Sequence, residues 1–477
     1  MTRAVVVGSG PNGLAAALTL AAAGVEVTVL EAAVVVGGCT RSSELTLPGL
    51  VHDDCSGFHP LAVDTPFSRR FDLAARGLTW RWPAVQYSHP LDGGRGAAAW
   101  RSVEETAAGL GRDGARWRLL FGPLAARFTD IAEDFLRPML HVPRHPVPLA
   151  RFGAYSMLPA EVLARRWSTP QARALFAGVA AHALRPFGSP ASSAIGVALG
   201  TAAHRFGWPV AEGGSASIAR AVMAWLDELG AKVETGVRVR SMGDLGTPDI
   251  VMLDVAPGAA VRIAGDRLPP RVARALTRYR HGPGVFKVDY AVEGGVPWTH
   301  ADSRRAGTVH LGGTLEEVAF AEQAVNRGRM PQRPFVLVGQ QFLADPSRSR
   351  GDVHPLYAYA HVPAGYTGDA SAAVEAQIER FAPGFAERVL ARHVRSAVEM
   401  ERYNPNYVGG DINVGANSVL QVAMRPRAAA DPYATGVPGV FLCSSATPPG
   451  PGVHGMCGFG AAGSALKHLR GLPERTA

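Results

Sequence analysis

The chain opens with two short apolar runs, residues 4–7 and 26–30, joined by an alanine-rich stretch with helical spacing to about Ala23. A run apolar at every position suits a central parallel strand buried on both faces. The order read here is therefore strand, turn, helix, strand. Farther along, "ASIARAVMAWLDELG" after a Gly213-Gly214 turn places apolar residues at helical intervals, and the next strand holds Val237 and Val239. In "GVFKVDYAV" strict alternation sets Val285, Lys287 and Asp289 on one face of a strand and Phe286, Val288 and Tyr290 on the other. A hairpin through Asp92-Gly93-Gly94, a strand in "RPFVLVGQQF" and a helix near "ASAAVEAQIERFA" fill the middle of the chain. A strand over 440–443, a Pro/Gly-rich loop and a last helix from about Val453 end it.

The first turn reads Gly8-Ser9-Gly10-Pro11-Asn12-Gly13. Gly8 permits the tight turn, Gly10 lets backbone approach a pyrophosphate, and Gly13 lets the helix pack close to its strand. The helix start turns free amides and partial positive charge toward the phosphates. Glu31, 23 residues after Gly8, ends the second strand and can accept both hydroxyls of an adenosine ribose. An ordinary βαβ unit without ligand is the alternative. To this point FAD and NAD are not separated.

A second glycine pair, Gly37-Gly38, follows, then Cys39-Thr40-Arg41. Adjacent glycines let a loop run beside a pyrophosphate, and an arginine there neutralises phosphate charge. With these residues the chain resembles the glutathione-reductase-like flavoproteins that include amine oxidases and phytoene desaturases. Its form is most similar to the phytoene-dehydrogenase-like oxidoreductases. The resemblance implies non-covalent FAD and a hairpin turning at Pro48-Gly49 that leads under the isoalloxazine. It also implies that "CSSATPPGPGVHGMCGFG" returns to the flavin, with Ser444, Val453, His454, Gly455 and Met456 along the ring. Ser444 stands where many relatives have glycine, and Pro448 where desaturases have histidine. The implied cofactor-binding set is Gly8, Gly10, Pro11, Asn12, Gly13, Glu31, Ala32, Gly37, Gly38, Cys39, Arg41, Val237, Ser444, Val453, His454, Gly455 and Met456. Val237 is there for a backbone contact to adenine, its alternative being a plain core residue.

Two residues are candidates for the chemistry. His454 either orients substrate or moves a proton, or it is a structural histidine whose backbone alone matters. Lys287 resembles the lysine that reaches flavin N5 through a water in amine-oxidase-like relatives; the alternative is a surface lysine paired with Asp289. Asn406 and Tyr407, in the polar loop 404–418, are candidates without a role.

The expected fold class is α/β, with a discontinuous Rossmann-like FAD-binding domain (1–70, 205–260 and 400–477). An inserted α+β substrate domain (71–204 and 261–399) adds a mixed or antiparallel sheet and helices. No second glycine fingerprint lies between a strand and a helix, so electrons would leave by oxygen or a quinone rather than a built-in NADPH domain. The expected function is an FAD-dependent oxidoreductase acting on a C–C or C–N bond. Its competitors are an amine-oxidase-like enzyme making imine and hydrogen peroxide, and a non-catalytic binder of lipidated partners of the GDP-dissociation-inhibitor type.

Composition removes several classes. Of 477 residues 47% are hydrophobic and 18% charged, as in ordinary globular enzymes. The net charge of +8 comes from scattered arginine, with only Lys232, Lys287 and Lys467 as lysines, and no basic stripe marks a nucleic-acid face. The four cysteines, Cys39, Cys55, Cys443 and Cys457, lack metal-ligand spacing, so reduced cysteines, no metal and a cytoplasmic setting are expected. No signal peptide or membrane span is read. The stretch 136–153 mixes Arg and His with apolar residues, fitting either a peripheral membrane contact or a solvated loop. Oligomeric state is left open.

Overall fold

The computed structural model describes residues 2–471; the ends of the 1–70 and 400–477 segments, residues 1 and 472–477, lie outside the described residues. The apolar run Arg3–Val7 becomes the central strand of a five-stranded parallel sheet. The order across this sheet is Val440–Leu442, Ile250–Leu253, Arg3–Val7, Glu26–Glu31 and Lys232–Thr235. Alternate side chains feed opposite layers. Val6, Val27 and Val29 pack beneath the helices Pro11–Ala21, Ala216–Glu228 and Met456–Arg470. Val7, Leu30 and Leu253 pack with Ile263 and Val272 from the helices Pro257–Ala264 and Pro270–Thr277.

Among the described residues a second, seven-stranded sheet has the order Val389–Arg395, Gly284–Glu293, Val353–Val362, Val336–Gly339, Ala306–Leu311, Val85–Pro90, Gly96–Ala99. Its pairings are antiparallel except for Ala306–Leu311 beside Val85–Pro90. The alternation read in "GVFKVDYAV" separates its faces. Phe286, Val288, Tyr290, Val309 and Val338 pack on one side with Val374 and Ile378 of the helix Ser371–Phe381. Leu337, Tyr357 and Tyr359 turn to the other side, toward the helices Pro170–Ala181 and Ala194–Arg205. The hairpin at Pro48-Gly49 pairs Ser42–Ser43 with His52–Asp53, and the one at Asp92–Gly94 joins Val85–Pro90 to Gly96–Ala99.

Three boundaries differ from the sequence reading. The strand expected to hold Val237 and Val239 stops at Thr235, because Gly236 turns the chain (φ +73°) and its amide donates to the Ala33 carbonyl at 2.9 Å. The last helix starts at Met456 rather than about Val453, since Val453 and Gly455 hold left-handed backbone at φ 57° and 69°. Within 136–153 the chain is irregular only to His145, after which Pro146–Ser156 is helical.

The first and last helices cross backbone to backbone. A Cβ on Gly458 would lie 1.8 Å from the Asn12 carbonyl oxygen, whereas one on Gly463, in the same helix, would meet nothing within 4 Å. Gly458→Ala should therefore destabilise the protein by about 1–3 kcal/mol. Gly463→Ala should be neutral or stabilising by up to about 1 kcal/mol. Denaturant midpoints of the two variants compare them directly.

Candidate functional site

A cavity of about 1160 Å³ lies between the two sheets. It begins at the carboxyl ends of the parallel strands, where ligands bind in open α/β sheets, and reaches Thr308, Leu337, Tyr357 and Tyr359 of the second sheet. Small-molecule pockets commonly span about 300–1,000 Å³, so this one has room for a large ligand and a second molecule.

The strand end is built by close approach. A Cβ on Gly13 would lie 2.1 Å from the Gly8 carbonyl oxygen, and one on Gly38 would lie 2.8 Å from Gly10 Cα. The loop 37–41 is thereby pressed against the first turn. Glu31 is 8% exposed and lines the cavity. Its Oε2 accepts from the Ser9 amide at 2.9 Å and the Ser9 hydroxyl at 2.6 Å, while Oε1 accepts from the Ala33 amide at 2.8 Å and faces Arg41 at 3.4 Å. Asn12 also lines the cavity; its Nδ2 donates to the Ser445 hydroxyl at 3.1 Å, and its buried Oδ1 has no partner among the described residues. Gly8, Gly10, Pro11, Ala32, Gly38, Cys39 and Arg41 share this wall, with Gly13 and Gly37 supporting it from behind. Val237 lines the cavity too, but its amide donates to the Glu31 carbonyl at 2.8 Å, which takes that amide out of any ligand contact.

Asp254 is a site residue the sequence reading missed. It follows the strand Ile250–Leu253, and its Oδ2 accepts from the Gly13 amide at 2.9 Å. Burial, opposed by the Gly13 and Gly10 amides and reinforced by Glu31, pushes its carboxyl up to about 7. The signal was a lone acid ending an apolar run, "IVMLD", but only the sheet order brings it beside the glycine turn. Asn406 holds this strand end in place: its Nδ2 donates to the Asp254 carbonyl at 3.1 Å and its Oδ1 accepts from the Ala256 amide at 2.7 Å. Tyr403 donates to the Gly38 carbonyl at 3.0 Å, and Tyr407 donates to Cys55 Sγ at 3.3 Å.

The C-terminal loop brings Ser444, Val453 and His454 to the cavity. His454 Nδ1 accepts from the Met456 amide at 3.0 Å, capping the helix behind it. Burial lowers its imidazole to about 4, so the ring is neutral at physiological pH. Gly455 and Met456 are not on the cavity wall; Met456 packs into the core under the first helix.

Lys287 does not reach the cavity. It is 1% exposed, pairs with Asp289, and its Nζ stands 4.6 Å from the centroid of the Tyr357 ring, which faces the cavity instead. Against burial, which would raise it, the Lys287 ammonium and the nearby imidazoles of His393 at 3.8 Å and His52 at 3.6 Å hold Asp289 well below the usual carboxylate range. The alternative reading, a lysine paired with Asp289 or a neighbour, is met in its partner, yet in the interior rather than at the surface.

Residues 6–72 match the family described as NAD(P)-binding Rossmann-like domain. The pyridine nucleotide-disulfide oxidoreductase domain-containing protein 2 of Rattus norvegicus is 25% identical over 260 residues, 50% of this chain and 43% of that protein. Hydroxyneurosporene desaturase of Cereibacter sphaeroides is 30% identical over 257 residues, 50% of each chain. The chain thus spans about half the length of the curated relatives it matches. An oxidoreductase of Methanosarcina mazei superposes with TM-score 0.64 at 15% identity, covering 98% of this chain and 100% of its own. Putrescine oxidase bound to putrescine gives 0.60 at 20%, covering 98% and 99%. The fold is that of these oxidoreductases, and the likeness to the desaturase and amine-oxidase flavoproteins read in the sequence stands. Among the described residues no group of His, Cys, Asp and Glu could hold a metal, and no helix is long and apolar enough to cross a membrane.

Variants at Asp254 and at the Lys287–Asp289 pair test the buried charges. The fold binds the Asp254 proton more tightly than the unfolded chain does, whose carboxyl titrates near about 4. The stability this group contributes is therefore full at low pH and lost as pH rises through about 7. Between those values Asp254→Asn should gain on the parent by roughly 1.4 kcal/mol per pH unit, read from unfolding curves at pH 5, 6 and 7. Lys287→Met strands a buried Asp289 and should lower stability by about 3–5 kcal/mol, with Lys287→Met/Asp289→Leu recovering most of the loss in the same assay.

Proposed function

We propose that the chain is an FAD-dependent oxidoreductase that removes a hydride and a proton from a C–C or C–N bond of a largely apolar small molecule, with oxygen or a quinone as the final acceptor. The observation that carries this reading is the continuous cavity running from the glycine turn to an apolar chamber lined by Phe152, Ile195, Leu199, Trp208 and Leu337. A flavin dinucleotide fits the donor set. The Gly10–Gly38 contact clears backbone for a pyrophosphate, Arg41 offsets its charge, the Asn12 Oδ1, without a partner among the described residues, can accept from a ligand hydroxyl, and Glu31 faces the cavity for ribose hydroxyls. The raised Asp254 carboxyl agrees with phosphate charge nearby, because its neutral form does not repel it.

Bound isoalloxazine supplies a two-electron acceptor. The chain's residues position and shield the reaction. Tyr357, Tyr359 and Trp208 wall the inner chamber and exclude water from it. Tyr357 is itself fixed, its hydroxyl donating to the Cys55 carbonyl at 2.6 Å over the Lys287–Asp289 pair. Neutral His454 holds the loop 444–454 against the cavity by capping the last helix.

Charge on the wall favours a neutral substrate. The acidic lining residues are Glu31 and Asp254, both at the glycine end. Elsewhere the wall carries Arg137, Arg185 and Arg425, and Arg425 is 1% exposed and donates, among the described residues, to Ser445 and Asn417 oxygens. A diamine such as the putrescine bound by the structurally similar oxidase would meet guanidinium groups here, not carboxylates. This supports carbon–carbon dehydrogenation, the chemistry named by the desaturase relative, over oxidation of a cationic amine. Exposed Leu140, Val142 and Val147 flank the lining residues Met139 and Leu149, which suits entry of a lipophilic substrate from a membrane surface.

The purified protein should be yellow and release intact FAD on denaturation; a colourless protein that takes up no FAD would favour a binder without redox chemistry. Glu31→Ala removes a charged acceptor and should weaken FAD binding by about 1.5–3 kcal/mol in a fluorescence titration of stripped protein.

A further inference from the structure

The wall of the cavity away from the glycine turn holds a histidine pair that the reading above does not use. His182, just past the helix Pro170–Ala181, lines the cavity, and its Nε2 lies 2.9 Å from Nε2 of His310 on the strand Ala306–Leu311. His310 is fully buried among rings: Phe335 stacks on it at 5.9 Å, with Tyr87 at 5.5 Å and Trp208 at 6.0 Å. Its Nδ1 has no hydrogen-bond partner among the described residues. Two positions earlier on the same strand face, the fully buried Thr308 hydroxyl lines the cavity and is likewise unpartnered among the described residues.

One proton serves the contact between the two Nε2 atoms. If His182 donated it, neutral His310 would carry its own proton on Nδ1, a buried N–H with no acceptor. Orphaned buried N–H groups are rarer than under-used acceptors. With His310 donating from Nε2, only a lone pair faces its rings, and His182 carries its proton on Nδ1, the nitrogen left for the cavity. Burial first, then neighbouring histidines, lowers both rings: His182 to about 3 through His361, and His310 far below its usual value through His182, His89 and His361. The pair is neutral, so it donates and does not act as a charge.

We propose that His182, its tautomer fixed by His310, presents an Nδ1–H donor that, with the Thr308 hydroxyl on the same wall, fixes a carbonyl or hydroxyl oxygen of an otherwise apolar substrate. Ile195, Leu199 and Leu337 supply the apolar surroundings. A donor set in an apolar wall discriminates, because an analogue without the oxygen leaves it, and the buried Thr308 hydroxyl, unpaired. This rests on the cavity being the substrate site proposed above and adds the substrate class: a neutral lipophilic molecule bearing an oxygen acceptor.

Nitrogen-15 NMR of histidine-labelled protein as purified, with the His182 signals assigned by their loss in His182→Phe, reads the tautomer directly. A protonated Nδ1 and an unprotonated Nε2 are expected; the reverse, or a doubly protonated ring at pH 7, overturns the proposal. Binding of 2-acetylnaphthalene and of 2-ethylnaphthalene, matched in size, reads the donor. His182→Phe should weaken the ketone by about fivefold and leave the hydrocarbon unchanged, with His182→Asn retaining part of the preference. Equal loss for both probes, or for neither, overturns it. If His182→Phe fails to fold, His182→Asn assigns the signals and Thr308→Val, expected to weaken only the ketone, carries the binding arm. The expected tautomer in a protein that neither binds flavin nor oxidises substrates would sink the oxidoreductase reading and leave the donor in place.

Discussion

The contact between the Gly8 carbonyl and Gly13, too close for a Cβ at 2.1 Å, is the constraint on which the site depends. It presses the first helix onto the central strand and sets where the helix start lies. Everything else at that end is placed against it. Asp254 reaches the Gly13 amide, Gly38 lies on Gly10, and the last helix crosses at Gly458. Interiors packed this tightly do not yield by small shifts, so the wall of the cavity is rigid before any ligand arrives.

A buried ionic centre ties the loop between the strands Val336–Gly339 and Val353–Val362 to the hairpin that turns at Pro48-Gly49. Arg348, fully buried, donates to Asp53 at 2.5 Å, to Asp345 at 3.0 Å and to the Ala211 carbonyl at 2.7 Å. Asp53 belongs to the hairpin after the glycine pair, and it also accepts from the Ser215 amide at 2.7 Å, at the head of the helix Ala216–Glu228. Removing one partner of such a group leaves a charge stranded in low dielectric. The same logic holds at Lys287 and Asp289, where His52 from that hairpin approaches at 3.6 Å. Both centres tie that hairpin to the second sheet or its loops, by charge as well as by packing.

The second sheet divides its labour by face. Alternation sends Val288, Val309 and Val338 into an apolar core, while Thr308, Leu337, Tyr357 and Tyr359 turn to the cavity. The polar groups of this sheet that line the cavity, Thr308, Tyr357 and Tyr359, carry no charge, which suits a wall that must exclude water and yet orient one ligand.

The sequence by itself determined the strand–turn–helix–strand at the start, the face alternation of "GVFKVDYAV" and both hairpins, because each depends on local periodicity or on residues that only one turn accommodates. It also singled out Gly8, Gly10, Gly13 and Glu31, whose roles lie within one βαβ unit. It could not reach Asp254, which joins the glycine turn through a strand 241 residues away from Gly13, nor the His182–His310 pair, 128 residues apart. Lys287 has the same cause in reverse: its strand face was legible, but the Tyr357 ring that screens it comes from the neighbouring strand. Pairing between distant segments is set by burial of whole faces, a property of the folded sheet that no local window of residues contains.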